Sequence, residues 1–354
     1  MVDRPTEPAG GTARSTRGRV IAFSVVVVLA VGGAAAYVAR QASERSAAVR
    51  AAAREEQVRR RLDLAAVLRV PHLVFRSTAV GPTYNHVVVV PLADPTGGLA
   101  VTATSCERVY SVASAGMCLS ADRGVVTTYR ATVLDAALKP VRNVPITGGP
   151  SRTRLSADGR LAATTVFVTG HTYTSTAFST ATQVVVTATG RSTGNLETFT
   201  IIKDGRPYHN HDINIWGVTF AADDNTFYAT LSTGGQTYLL RGDLGRRRLV
   251  TLRQNVECPS LSPDGTRVAF KKSVGSFTGR HWRFTVLDLA SGAETPLPET
   301  RNIDDQIAWL DNSHVMYGVP RGATGRSDIW VSPLSGGSPT ILVPDGESPA
   351  AVVG

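Results

Sequence analysis

Residues 260–270 read SLSPDGTRVAF, and this stretch decides the fold. Ser262-Pro263-Asp264-Gly265 is built for a tight reversal. Pro263 presets φ for the second turn position, Asp264 can hydrogen-bond nearby backbone, and Gly265 accepts the positive φ that closes a short hairpin. Apolar residues alternate on both sides: Leu261 before the turn, Val268 and Phe270 after it. That pattern predicts strand, turn, strand.

Working outward, a second signature recurs. Residues 238–252 read YLLRGDLGRRRLVTL, 283–297 read RFTVLDLASGAETPL, and 328–342 read DIWVSPLSGGSPTIL. Each is an alternating strand, a Leu at the turn, a Gly or polar reversal and a second strand. Leu244, Leu289 and Leu334 are spaced 45 residues apart, twice in succession. Residues 87–102, VVVVPLADPTGGLAVT, carry Leu92 at the same place, and residues 129–146 are a weaker copy around Asp135. Copies of the SPDG turn interleave with these: LSADG at 155–159, then looser forms at 119–122, 220–223 and 309–312. Two hairpins per unit and a period near 45 define the four-stranded blade of a β-propeller. A two-sheet sandwich also uses short strands, but it does not impose a regular offset.

The expected blades are 2 at 105–148, 3 at 150–205, 4 at 213–253, 5 at 256–299 and 6 at 304–344. Three strands remain near 72–77, 85–92 and 98–103, with one more in the tail ESPAAVVG. Together they complete blade 1. The fold class is therefore all-β: a six-bladed propeller whose C-terminal strand closes the first blade and removes the sheet edges.

These repeats resemble the WD40-like (PD40) repeat of TolB-type propellers over most of residues 72–354, most closely in blades 5 and 6. The run Cys106-Glu107-Arg108-Val109-Tyr110, followed by Gly116-Met117-Cys118-Leu119, is similar to a pattern in membrane-anchored bacterial TolB-like proteins. The resemblance implies a propeller on the outer side of the inner membrane that binds other proteins. In place of TolB's separate N-terminal α/β domain, this chain has an apolar helix and a stalk.

Residues 20–39, VIAFSVVVVLAVGGAAAYVA, are twenty residues without a charge, enough to cross the ~30 Å hydrocarbon layer at ~1.5 Å per residue. The organisation read from this is a basic cytoplasmic tail at 1–19, a transmembrane helix at 20–39, a helical stalk at 40–69 and the propeller at 70–354. The alternative is a signal peptide cleaved near Ala36 and a secreted propeller. Arginines lie on both flanks, and a long domain translocates largely regardless of that count. The expected topology places the N-terminus in the cytoplasm and the propeller outside.

The net charge of +9 lies mostly in that segment: residues 1–69 hold twelve arginines against six acids. The remainder is nearly balanced, which argues against a nucleic-acid partner. Three cysteines are present. Cys106 and Cys118 bracket a predicted hairpin and are read either as a disulfide or as two buried thiols; export favours the bond. Cys258 reads as a core thiol, and no CxxC suggests zinc.

No phosphate-loop or H-E-x-x-H motif occurs, and no catalytic residue, metal or cofactor is assigned. The most suggestive polar cluster is Tyr208-His209-Asn210-His211-Asp212, between blades 3 and 4. His171, in a long blade 3 insertion, and Asp304 and Asp305, before blade 6, are expected on the same loop face. The expectation is an exposed contact surface for an envelope protein or peptide. The alternative is a propeller hydrolase or lyase using His171, His209, His211 and Asp212. The four tryptophans, Trp216, Trp282, Trp309 and Trp330, are expected to pack between blades.

Overall fold

The fold is seen in a computed structural model that describes residues 13–168, 179–275, 279, 281–322 and 324–353. The chain divides into two units between residues 57 and 58. In the first, a helix covers Ala13–Val58. Its segment Gly18–Glu44 has a mean hydropathy of 2.4 and is not covered by protein. Val20, Phe23, Val28 and Leu29 are exposed along it. Its length and apolarity suit a membrane anchor or a signal sequence.

The helix ends at Val58, not near residue 69 as its composition suggests. Leu62, Leu64, Val67 and Leu68 pack instead on the apolar core shared by blades 1 and 2. The Leu62 N–H donates to the Leu99 carbonyl at 3.0 Å, and the Leu99 N–H donates to the Arg60 carbonyl at 2.9 Å. Leu64–Val67 form a separate single helical turn, and burial of these apolar side chains outweighs the propensity to continue the long helix.

The second unit is a ring of antiparallel sheets. Blade 1 runs, from the axis outward, Gly346–Val352, His72–Ser77, His86–Pro91, Ala100–Ser105. Blade 2 is Arg108–Ser111, Ala115–Arg123, Thr127–Asp135, Pro140–Val144, and blade 3 is Gly149–Leu155, Leu161–Val168, Ser179–Val186, Ser192–Asn195. Blade 4 is Asn214–Phe220, Thr226–Thr233, Gln236–Asp243, Arg248–Gln254. Blade 5 is Glu257–Leu261, Arg267–Val274, His281–Asp288, Glu294–Pro296, and blade 6 is Ala308–Asp311, His314–Pro320, Ser327–Pro333, Thr340–Val343. Each innermost strand touches the innermost strands of both neighbouring blades, around a full circle. The tail closes it: Val74 lies opposite Ala350, and Arg76 opposite Glu347.

One boundary differs from the sequence reading. Residues 200–208 do not end blade 3. Thr200–Lys203 pairs parallel to the outer strand of blade 4, and Arg206–Tyr208 folds back on it, making a six-stranded sheet. Ile201 supplies the reason, since it is buried in the apolar core shared by blades 3 and 4 with Phe199 and Leu249.

Apolar side chains from facing sheets form one cluster at each of the six blade junctions among the described residues. Trp309 shows how the junctions are tied, because its indole N–H crosses from blade 6 to the Ser260 carbonyl of blade 5 at 2.8 Å. The two closest turns are superposable in their bonding. Ser262 and Ser156 each place a side-chain oxygen on the N–H five residues on, both at 3.0 Å. Gly265 (φ +72°) and Gly159 (φ +77°) occupy the left-handed position. The Leu of the second signature is also explained: the N–H groups of Leu244, Leu289 and Leu334 donate to the Asn225, Thr266 and Ser313 carbonyls. Each bond ties the outer turn to the inner turn of its own blade.

Candidate functional site

Antiparallel order sends all blade-to-blade connections, and the loops between second and third strands, to one end of the ring. The tight turns lie at the other. Charged residues near the connection end converge on the axis. Glu347 of blade 1 accepts from Arg108 of blade 2 at 2.7 Å and pairs with Arg76. Arg108 also lies 3.5 Å from Asp305, which precedes blade 6, and Asp305 accepts the Gly318 N–H at 2.9 Å. Lys271 of blade 5, almost fully buried, pairs with Asp304, with Glu257 3.8 Å away. Its ammonium lies 4.9 Å from the Trp282 ring. Burial opposes the charge of Glu347, but Arg108 and Arg76 outweigh it and hold its pKa below the ordinary carboxylate value.

Beneath this rim, a slot of about 20 Å³ is lined by Arg108, Tyr110, Arg152, Arg154, Asp305 and Gln306, among others. It holds little more than a water molecule. Past Arg154 the channel opens toward the turn end into a cavity of about 390 Å³, lined by Phe220, Tyr228, Leu261, Trp309, Leu310 and Val352 with the turn residues Ser262 and Asp264.

The residues singled out from sequence fall into two groups. Asp304 and Asp305 belong to the axial network just described. Tyr208, His209, His211 and Asp212 lie where blades 3 and 4 meet, and His171 lies outside the described residues. The Tyr208 hydroxyl lies 2.9 Å from Thr233 Oγ1, and Asn210 donates to it at 3.2 Å. Asp212 accepts from the Thr233 hydroxyl and, at 2.6 Å, from the Gly234 N–H, so both its oxygens fix the Thr233–Gly234 turn. Burial pushes the Asp212 carboxyl up, but those two donors outweigh it and leave its pKa below the ordinary value. His209 and His211 are exposed and line a cavity of about 270 Å³.

The carboxyl that faces this cavity is Glu197, which sequence reasoning missed. It sits on a single 3-10 turn, Leu196–Thr198, with Asn195 as its cap. Its oxygens accept from the Ile215 N–H at 3.3 Å and from the Asn195 amide at 3.2 Å. Burial pushes its pKa up to about 7, against those two hydrogen bonds. Nothing local marks Glu197 in the sequence, because its setting is made by the Ile215 backbone of blade 4 and by the 209–214 connection, both distant along the chain. The alternation Arg152-Thr153-Arg154 on an inner strand was the legible signal for the axis, since residues two apart share a face. Among the described residues, no three His, Cys, Asp or Glu side chains come together to hold a metal ion.

Cys106 and Cys118 are joined in a disulfide, with Cα atoms 5.4 Å apart, and Cys258 is a buried free thiol on the inner strand of blade 5. The bond lies beside the axial rim, next to Glu107 and Arg108.

A closed ring of six sheets with an ion-lined axis defines a six-bladed β-propeller. No protein-family model and no curated protein matches the chain. Among solved structures it is similar to TolB from Acinetobacter baumannii, with a TM-score of 0.54 and 15% identity over 80% of this chain and 67% of that one. It is also similar to a chain in the crystal structure of a nidogen/laminin complex, with a TM-score of 0.53 and 10% identity, covering 80% of this chain and 98% of the other. At these identities the likeness is one of fold, and it is the fold that the repeat resemblance implied.

Proposed function

We propose that this protein is a membrane-anchored binding module of the cell envelope that takes a protein or peptide on the connection face of its propeller. The observation that carries this is the charged rim around the axis: ion pairs contributed by four different blades, most of them half-buried, converge at one end of a closed ring. Such a rim gives a partner orientation and selectivity more than raw affinity. The resemblance to TolB-type repeats supports the reading, since that resemblance implies binding to other proteins. In this reading the apolar helix stays in the membrane, the N-terminus is cytoplasmic and the propeller is outside, where a Cys106–Cys118 bond persists.

A second reading, a hydrolase or lyase, has one observation in its favour. Glu197 titrates near neutrality beside His209 and His211, as a general acid or base must. Asp212 does not serve it, because both oxygens are engaged by the turn.

Photo-cross-linking in intact cells separates the two. A cross-linking residue placed at exposed position 211 or 304 should capture the same discrete partner, and one placed at Ser291 on the turn face should not. Equal capture at all three positions would reject the binding face. Catalytic turnover by the purified protein that is lost on Glu197→Gln would establish the second reading instead.

A further inference from the structure

Two cations near the axis lack what the others have. Arg76, Arg108 and Lys271 are each paired with a carboxylate. Arg154 is 4% exposed, and no carboxylate of the described residues lies within 4.0 Å of it. Its Nη2 donates across the axis from blade 3 to the Ile307 carbonyl ahead of blade 6 at 2.9 Å. Its guanidinium stacks on Tyr110 of blade 2, 4.5 Å from the ring centre, and its Nε has no hydrogen-bond partner. Arg152, two residues earlier on the same strand, is also left with an unpartnered Nε, as is the amide nitrogen of Gln306. All three line the narrow slot, so three buried donor nitrogens there lack an acceptor. A buried guanidinium without an anion is costly, and an apolar side chain would fill the same space at less cost.

Arg154 also forms the floor of the wider cavity at the turn end. The walls of that cavity are apolar, with Phe220, Tyr228, Leu261, Trp309 and Val352 among them. Its mouth carries the turn residues Ser262 and Asp264, and both Asp264 oxygens are engaged, by Ser262, Thr266 and Arg267. A volume of about 390 Å³ admits two or three residues of an extended chain. We infer that this cavity captures the C-terminus of a peptide: the last apolar side chains fill the cavity, and the free carboxylate meets Arg154. Charge complementarity fixes the acid end, and the polar mouth suits a peptide backbone, which a bare acyl chain lacks. This site is at the opposite end of the ring from the proposed partner face, and its test is independent of cross-linking there.

The experiment uses the full chain in detergent, with tryptophan emission, to which Trp309 in the cavity wall contributes, and the anisotropy of a labelled pentapeptide as readouts. The probes are a pentapeptide ending in Val-Leu with a free carboxylate, the same peptide as its C-terminal amide, and octanoate. The free acid should bind at least about tenfold more tightly than the amide. Arg154→Lys should keep that preference, and Arg154→Gln should reduce the ratio to near one. Equal binding of acid and amide, no binding of either, or a preference that survives Arg154→Gln would overturn the assignment. So would saturable binding of octanoate with none of the peptide. The acid-to-amide comparison on the unaltered protein decides the matter even if a variant fails to fold.

Discussion

Glu197 is a residue whose ionisation this fold moves into the neutral range. Its pKa is raised to about 7, so the folded state holds the proton more tightly than the unfolded chain, in which a Glu titrates near 4.5. The resulting stabilisation is complete below pH 4.5 and is lost as pH rises through 7. Glu197→Gln should remove that pH dependence and make the protein more stable at pH 8 by roughly 1–3 kcal/mol, allowing for partial solvent screening. Denaturant unfolding at pH 5 and pH 8 measures it. If the variant lost stability with pH as the parent does, Glu197 would not be the titrating group. At this scale the sequence was only partly informative. Tyr208, His209, His211 and Asp212 were visible as a polar run, but their roles were not: Asp212 fixes a turn, and the half-buried acid comes from a separate segment.

The element that made the fold legible is the four-residue turn. Ser262 accepts the Arg267 N–H, and Asp264 accepts the Thr266 N–H at 3.0 Å, so the residue types themselves carry the geometry. The same bonds recur at Ser156 and Asp158. Ser262→Ala should therefore cost about 1–2 kcal/mol, the cost of unsatisfying a turn amide, whereas Ser291→Ala on an exposed turn should cost less. Thermal unfolding of the two variants checks this, and an equal effect would show that the Ser262 hydroxyl does not organise the turn. Where the sequence misled, the cause was pairing between elements distant along the chain. The hairpin at 200–208 follows blade 3 directly, but its parallel partner, Arg248–Gln254, lies more than forty residues on. The stalk was overextended for a similar reason. Its leucines look helical locally, and only the core of blades 1 and 2 explains why they leave the helix.

At the scale of the whole molecule, the ring is what gives the axis its chemistry. Glu347 reaches Arg76 and Arg108 only because the C-terminal strand returns to blade 1, and Arg154 spans from blade 3 to the approach to blade 6 only because the circle is complete. Closure was legible from arithmetic, three leftover strands at the start and one at the end. The unpaired guanidinium was not, because an unmet partner is visible only in three dimensions. Closure is tested most directly by amide hydrogen exchange of the full chain. The account predicts that the amides of 346–352 that bond to blade 1 exchange as slowly as those of His72–Ser77, since both strands open only with the ring. Exchange of 346–352 at the rate of an unstructured tail, with 72–77 still protected, would contradict it.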